Sequence, residues 1–179
     1  DRGLVGSEMC IRDRFFTGEK AYQAMLSAID NAQHSVCLAT YIFETNQTGR
    51  AFIKALANAI KRGVQVRVLL DGFGEYYSIP MAGKLLRKYK IQVARFTPPK
   101  LIPPSLHINL RNHRKLLIVD NAIGFTGGMN IGDRHLQKKP KGKLGINDIH
   151  FSLRGKIVSQ LQQVFDCLLY TSDAADDQA

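Results

Sequence analysis

The sequence of 179 residues has no tryptophan, only three cysteines and no run of 18 apolar residues. Cys10 and Cys167 lie near the ends and Cys37 lies in an apolar stretch, so the sequence supports neither a disulfide framework nor a cysteine-based metal site. The missing apolar run predicts that this stretch contains no transmembrane helix. About 150 residues suffice to bury a substantial hydrophobic core, so we expect a core-stabilised domain.

The two ends of the sequence mirror each other at the level of DNA. Residues 9–14 read MCIRDR and residues 167–172 read CLLYTS, and one DNA segment read from its two strands can encode both. Together with their flanks, these ends resemble transposon-type sequencing adapters. We therefore predict that residues 1–14 and 167–179 are read-through that adds no core packing, and that residues 15–166 are one domain from within a longer gene product.

Positive charge dominates the composition. The chain has 25 Lys and Arg against 15 Asp and Glu, a net charge of +10, and residues 15–166 alone have 22 against 9, a net charge of +13. A basic surface suits a polyanionic partner, which can be nucleic acid or an anionic membrane. Charge alone does not choose between these two partners.

Apolar residues recur at helical spacing in some segments and form continuous runs in others. Strands that alternate with helices predict an α/β domain with a mixed, largely parallel sheet flanked by helices. The stretch 97–112 holds four of the six prolines and predicts a long loop of the kind that is usually functional. The predicted helices cover residues 19–33, 49–62, 80–89 and 156–166, and the predicted strands cover 35–43, 64–70, 91–96, 115–119, 123–126 and 148–153.

The segment 112–130 concentrates residues suited to phosphate chemistry. His113 and Lys115 are two residues apart at the start of a predicted strand, so their side chains should point to the same face. A neutral imidazole can attack phosphorus as a nucleophile. An ammonium group beside it can neutralise the charge that develops on the non-bridging oxygens. This pair therefore predicts a phosphoryl-transfer site.

The residues that follow complete a recognisable pattern. Asp120 falls in the turn after the strand, Gly127 and Gly128 let backbone approach a ligand closely, and Asn130 can donate a hydrogen bond to a phosphate oxygen. This HxKxxxxD pattern followed by GG-x-N resembles the phospholipase D superfamily. The segments YIFE, RGVQVRVLLDGFG, RNHRK, GGMNIGDR and NDIHFSLRG resemble its cardiolipin synthase branch, and the resemblance covers essentially all of residues 15–166.

The resemblance implies a role for each residue of the pattern. His113 would form a phosphohistidine or serve as its acid/base counterpart, and Lys115 and Asn130 would hold the phosphoryl oxygens. Asp120 would be mainly structural, bonding to nearby backbone or side chains. Asp148, in NDIH, would orient the imidazole and stabilise its charged form, which a histidine nucleophile needs. The family chemistry requires neither a metal ion nor another cofactor.

The function implied is an enzyme of phospholipid synthesis, a phosphatidyltransferase of the cardiolipin synthase type. Its expected partners are an anionic phospholipid substrate and the membrane surface, and its expected location is the cytoplasmic membrane of a bacterial-type cell. Family active sites join two HxKxxxxD halves, and this chain has one. The second half would come from a C-terminal continuation of the chain or from a dimer mate, and the isolated fragment is expected to be inactive.

Two other functions stay open on the sequence. A nuclease of the same superfamily would use the same chemistry on a nucleic-acid diester, and the basic charge fits it, although the lipid-branch segments make nucleic acid the less expected partner. The presence of every key residue argues against a catalytically silent binding or structural module. Ile146 is a departure, because many relatives have tryptophan there, and the lipid-facing wall is expected to differ.

Several polar residues outside the pattern have a plain structural interpretation. Glu44 and Asp71 end predicted strands, where they either line a ligand site or cap the following loop. Tyr76 and Tyr77 lie in the loop after DGFG, where interfacial contact and ordinary packing are both open. Three histidines are not at metal-ligand spacing and are interpreted as surface or loop residues: His107, His135 and His150. Four clustered lysines are interpreted either as a solvated loop or as a loop that attracts anionic headgroups: Lys138, Lys139, Lys141 and Lys143.

Overall fold

A computed structural model describes residues 10–96, 100–101, 104–105, 111–137 and 145–176. The lysine cluster, His107 and most of the proline-rich loop lie outside the described residues. Within the described part of the chain, no helix is both long and apolar enough to cross a membrane.

The predicted helices and strands are all present, with shifted ends. Glycine at position 63, with a positive φ of 86°, follows the second helix. The helices are α1 (Gly18–Asp30), α2 (Gln47–Lys61), α3 (Ala82–Lys88) and α4 (Lys156–Asp176), with 3-10 turns at Gly74–Tyr77 and Asp133–His135. The strands are β1 (Cys10–Phe15), β2 (Ser35–Thr40), β3 (Gln65–Asp71), β4 (Gln92–Phe96), β5 (Lys100–Leu101), β6 (Pro104–Ser105), β7 (Leu116–Val119), β8 (Ile123–Gly127) and β9 (His150–Arg154).

Seven of the strands form one mixed sheet in the order β1-β9-β8-β7-β2-β3-β4, and β5 and β6 pair separately. The α/β class and the mixed sheet are confirmed. Only β2-β3-β4 is parallel, and the other four pairings are antiparallel, so the parallel share is smaller than predicted. The reason is local: β7 and β8 form a hairpin at Asp120-Asn121, and β9 returns antiparallel beside it.

The sheet is buried on both faces, as the apolar run at residues 35–43 predicts. In β2, Val36 and Leu38 pack with α1 and α2, whereas Cys37 and Ala39 pack with α4 on the other face. The same alternation along β3 and β7 follows from the two-residue period of strand side chains. Phe52 of α2 is fully buried in the first layer.

The ends of the chain pack more than the sequence predicts. Strand β1 lies at the sheet edge and pairs antiparallel with β9, and its residues Ile11–Arg14 are exposed. Helix α4 continues to Asp176, and Leu168 is buried in the second hydrophobic layer. The expectation that residues 167–179 add no core packing is therefore wrong, because apolar residues of this stretch continue the buried stripe of α4.

Candidate functional site

The polar residues of the sequence pattern, apart from Asp120, gather at one end of the strands of the sheet. Strands β2 and β3 stop at this end, β8 stops there with Gly127, and β7 and β9 begin there, because β7 and β8 run antiparallel to their neighbours. The segment that carries His113 and Lys115 enters β7 at this end. Asp148 enters β9 there. The topology thus brings together residues that are more than 30 positions apart in the chain.

His113 lies against Tyr41, which follows β2. The two rings are stacked, with centroids 4.1 Å apart and planes 19° apart. His113 is exposed, so its ring is open to a substrate on the side away from Tyr41. A stack of this kind restricts the imidazole to one orientation. Tyr41 belongs to the segment YIFE, and the sequence pattern predicts no role for it.

Lys115 is half-buried beside the same tyrosine. Its Nζ donates to the His113 carbonyl oxygen over 2.6 Å and lies 5.6 Å from the Tyr41 ring centroid. Burial lowers the pKa of Lys115, and the charge of Asp148 opposes this effect. His113 and Lys115 both precede β7, and the contact that they share is the Tyr41 ring.

Asn130 is held by the residue that follows Tyr41. Its Oδ1 accepts from Ile42 N over 3.1 Å, so within the described chain its NH2 group is the end that remains to donate. The Tyr22 hydroxyl of α1 supports this turn, lying 2.5 Å from the Asn130 carbonyl oxygen and 3.1 Å from that of Gly132. Burial raises the pKa of Tyr22, so the hydroxyl stays protonated as a donor.

Asp148 lies directly beneath the glycine pair. A methyl group on Gly128 would meet Asp148 Oδ1 at 2.0 Å, and one on Gly127 would meet His150 Nδ1 at 2.7 Å. The glycines are therefore needed because the Asp148 side chain fills the space beside Gly128, and the Ile149 carbonyl oxygen, at 2.3 Å, and His150 fill the space beside Gly127. Asp148 Oδ1 accepts from Ile149 N over 2.7 Å, and no hydrogen bond joins the described Asp148 and His113.

Asp120 lies at the opposite end of the strands, directly after β7. Its Oδ1 accepts from His34 N and Ser35 N over 2.7 and 2.8 Å, and its Oδ2 accepts from Gln33 N over 2.9 Å. Burial raises the pKa of Asp120, but these backbone donors outweigh it and the pKa falls below its ordinary value. Asp120 therefore fixes the α1–β2 connection.

Asp71 fixes the entry into β7. It is fully buried, and its Oδ2 accepts from Asn112 N over 3.1 Å while its Oδ1 accepts from Phe73 N and Gly74 N. The Arg111 guanidinium lies 3.7 Å from Oδ1. Of the two interpretations of Asp71, loop capping is the one that the contacts support, and the capped residues lead directly to His113.

Glu44 also has a supporting position. Its Oε1 accepts from Arg134 Nε over 2.9 Å, and its Oε2 accepts from the Asn46 side chain over 2.6 Å. Asn46 in turn caps α2 by accepting from Gly49 N. This network ties the turn after Asn130 to the start of α2.

The interpretation of His135 and His150 as surface or loop residues is wrong. Their exposed fractions are 3% and 1%. His135 Nε2 accepts from Asn130 N over 3.2 Å, whereas neither ring nitrogen of His150 has a hydrogen-bond partner among the described residues. Burial lowers the pKa of both and brings that of His150 to about 4, with Asp148 opposing in each case. Both rings are therefore neutral at neutral pH.

Taken together, the site offers one exposed imidazole, one half-buried ammonium, one oriented amide and one carboxylate. Within the described ranges, no three His, Cys, Asp or Glu side chains are grouped to hold a metal ion. The positive field at this end of the strands comes from Lys115, with Arg111 and Arg134 farther out over the rings of Phe73 and Tyr77. Such a set can bind a phosphate diester and place an imidazole against its phosphorus.

The sequence of this chain is similar to those of bacterial cardiolipin synthases. The family described as cardiolipin synthase, PLD-like domain, matches residues 25–169. The major cardiolipin synthase ClsA of Bacillus subtilis (strain 168) is 38% identical over 148 residues, which are 83% of this chain and 30% of that protein. The chain spans about three tenths of the length of the curated relatives it matches.

Two solved structures share the fold. The phospholipase D family member Nuc from Salmonella typhimurium superposes with a TM-score of 0.66 at 21% identity, covering 89% of this chain and 93% of that one. The phosphatidylserine synthase of Haemophilus influenzae superposes with a TM-score of 0.67 at 11% identity, covering 90% of this chain and 36% of that one.

Proposed function

Because the chain belongs to the family of phospholipase D-like domains of cardiolipin synthases, we propose that it supplies one catalytic half of a phosphatidyltransferase of phospholipid synthesis. The enzyme would move a phosphatidyl group from phosphatidylglycerol, or a similar anionic lipid, to an alcohol. The curated relatives support this activity, since the one that matches over 148 residues is itself named a cardiolipin synthase.

The observation that carries the proposal is the segment Tyr41-Ile42. The Tyr41 ring stacks on His113 and lies 5.6 Å from Lys115 Nζ. The backbone N–H of Ile42 donates to Asn130 Oδ1 and so orients the Asn130 amide. A nucleophile, a cation and an amide donor thus share one rigid support at the end of a buried strand. Positioning of reacting groups before the substrate arrives is a large part of catalysis of phosphoryl transfer.

The proposed reaction has two steps. An imidazole nitrogen attacks the lipid phosphorus, a phosphorus–nitrogen bond forms, and the bond from phosphorus to the leaving alcohol breaks as a second histidine protonates that alcohol. The acceptor hydroxyl then attacks the phosphohistidine, gives its proton to the second histidine and releases the first. His113 supplies one of the two histidines. Lys115 and Asn130 hold the non-bridging oxygens. Asp148 forms no hydrogen bond to His113 within the described chain, and its negative charge acts on Lys115.

The second histidine must come from another half. This chain spans about three tenths of its curated relatives, which leaves room in a longer gene product for a second HxKxxxxD segment. The alternative is that a second copy of this half supplies the second histidine. Association with the cytoplasmic membrane follows from the proposed lipid substrate.

A parallel assay of two substrates tests the function. The intact gene product would be given phosphatidylglycerol vesicles and single-stranded DNA separately, with a chelator present. We expect lipid turnover, and we expect His113→Asn to abolish it or reduce it severely because an entire chemical step is lost.

The matched control is His34→Asn. His34 is also exposed, but it lies at the opposite end of the strands beside Asp120, where its backbone N–H and not its ring forms the hydrogen bond. Lipid turnover should therefore survive this change. DNA cleavage without lipid turnover would replace the proposal with a nuclease, and turnover that persists in His113→Asn would remove His113 from the reaction.

A further inference from the structure

The loop after β3 exposes four large apolar side chains close together. Phe73, Tyr76, Tyr77 and Ile79 are exposed by 39%, 58%, 50% and 96%. The other exposed large hydrophobic residues of the described chain are spread along β1, α4 and three connecting segments. We call these four side chains the aromatic rim. Exposed apolar groups that cluster, unlike single ones, mark an interaction surface.

The aromatic rim is continuous with the candidate active site. Tyr77 packs edge-on against Tyr41 with centroids 6.2 Å apart, and Tyr41 stacks on His113. The ring centroid of Phe73 lies 6.5 Å from that of Tyr77 and 6.4 Å from that of Tyr76. Whatever covers the aromatic rim therefore also lies at the mouth of the site.

The loop is held in place by buried acids. Asp71 accepts from Phe73 N and Gly74 N, and Glu75, which is buried under the loop, accepts from Gly83 N over 2.9 Å and pairs with Arg95. The apolar groups are therefore presented by a supported backbone. Their exposure to water is a cost that the fold does not relieve by itself, since none of the four side chains reaches the core.

Cations lie directly behind the aromatic rim. The Arg111 guanidinium lies 5.1 Å from the Phe73 ring centroid, and that of Arg134 lies 5.6 Å from the Tyr77 ring centroid. Apolar and aromatic tips backed by basic residues are the composition that enters the boundary between headgroups and acyl chains of an anionic membrane. Both guanidinium groups are also paired with acids of the fold, Arg111 with Asp71 and Arg134 with Glu44. The attraction to an anionic surface therefore comes from the net charge of +10 of the chain as a whole.

We propose that the aromatic rim seats this chain on an anionic lipid bilayer, with Tyr76 and Ile79 entering the headgroup–acyl boundary and His113 level with the headgroup phosphates. The commitment to lipid, in preference to another apolar partner, rests on the proposed phosphatidyl transfer. The contact would let a lipid phosphate reach the site while its acyl chains stay in the bilayer, as the chemistry of a diacyl substrate requires.

The absence of tryptophan makes a site-specific test possible. Tyr76→Trp places a single fluorophore in the aromatic rim, and Tyr89→Trp places one at an exposed tyrosine after α3 as the matched control. Each variant would be mixed with vesicles of phosphatidylglycerol or of phosphatidylcholine that contain brominated acyl chains. We expect a blue shift and quenching for Tyr76→Trp with phosphatidylglycerol, and neither for Tyr89→Trp.

A second pair of variants measures the contribution to binding. Tyr76→Ser with Ile79→Ser removes two exposed apolar side chains from the aromatic rim, and Tyr89→Ser with Val164→Ser removes two elsewhere. Each fully buried apolar side chain contributes roughly a tenfold change in partition. Vesicle affinity should therefore fall by roughly a hundredfold in the first pair, and stay unchanged in the second.

The outcomes separate this proposal from the proposed function. Equal quenching of the two single-tryptophan variants, or none in Tyr76→Trp, would overturn the membrane contact even if His113-dependent lipid turnover is found. A blue shift of Tyr76→Trp on assembly with a second half, without quenching by lipid, would assign the surface to a protein neighbour and would also overturn it. Insertion of Tyr76→Trp into the vesicles, together with no lipid turnover by the intact gene product, would keep the contact and refute the phosphatidyltransferase.

Discussion

Gly128 lies so close to Asp148 that a single added methyl group would stand 2.0 Å from the Asp148 Oδ1 atom. The carboxylate belongs to the start of β9, and the glycine follows β8, so the contact depends on the antiparallel pairing of these two strands. Gly128 has an ordinary backbone conformation that alanine can adopt. The three atoms nearest to an added methyl group all belong to Asp148, so a Gly128→Ala change would act first through this contact.

We predict that Gly128→Ala displaces Asp148 and lowers the free energy of unfolding by about 1–3 kcal/mol, the usual cost of overpacking. Chemical denaturation of the single and double variants measures the effect. In an Asp148→Ala background the clashing oxygens are gone, and the cost of Gly128→Ala should nearly vanish. Equal costs in the two backgrounds would show that another neighbour, and not Asp148, excludes the methyl group.

Tyr41 should act as a positioning residue for His113. Loss of the ring stack removes an interaction of about 0.5–1.5 kcal/mol, so Tyr41→Leu should lower kcat roughly threefold to tenfold in the intact enzyme. Tyr41→Phe keeps the ring and should leave kcat nearly unchanged. The measurement is the split between kcat and KM, because a residue that orients the nucleophile affects kcat first. An effect of Tyr41→Phe as large as that of Tyr41→Leu would instead assign the role to the hydroxyl group.

The features of the fold and the site that depend on local sequence pattern could be predicted from the sequence. The strand and helix order, the two-face burial of β2 and the pairing of His113 with Lys115 all follow from periodicity and spacing. Burial of His150 does not, because it arises only when β9 pairs with β8 and β1 and brings the ring under Gly127. The role of Tyr41 was also hidden, since its contacts with His113 cross more than 70 positions of the chain.

Asp120 illustrates the same limit within a recognised motif. It shares the HxKxxxxD pattern with His113, yet β7 lies between them, and the four residues of this strand alone span about 13 Å. We predict that Asp120→Gly lowers the free energy of unfolding by about 2 kcal/mol through loss of hydrogen bonds to a charged acceptor. Glycine is chosen because φ at this position is 52°, where alanine would add strain of its own.

Asp120→Asn is the graded companion of that change. Asparagine tolerates the left-handed conformation and keeps one oxygen acceptor, so its loss of stability should be smaller. Thermal melts and lipid turnover measured below the melting temperature separate the two roles. Turnover per folded molecule should change little, whereas a large loss of turnover with unchanged stability would place Asp120 in the chemistry.

His150 should make the fold sensitive to mild acid. Its pKa is about 4 when folded because of burial, against 6.5 for an unperturbed histidine. Between these values the unfolded chain binds a proton that the folded chain does not, so stability is full above about pH 6.5 and falls as the pH drops toward 4. The change amounts to about 3 kcal/mol in total, and His135, whose pKa is also lowered by burial, adds in the same direction.

The measurement is chemical denaturation between about pH 7 and 5, above the range in which carboxylates titrate. His150→Leu replaces the ring with an apolar side chain of similar volume, leaves no buried polar atom without a partner and should flatten the dependence on pH. His34→Leu removes an exposed histidine and should leave the dependence as it is. An unchanged slope in His150→Leu would mean that the buried ring reaches water or a hydrogen-bond partner when the folded protein is acidified.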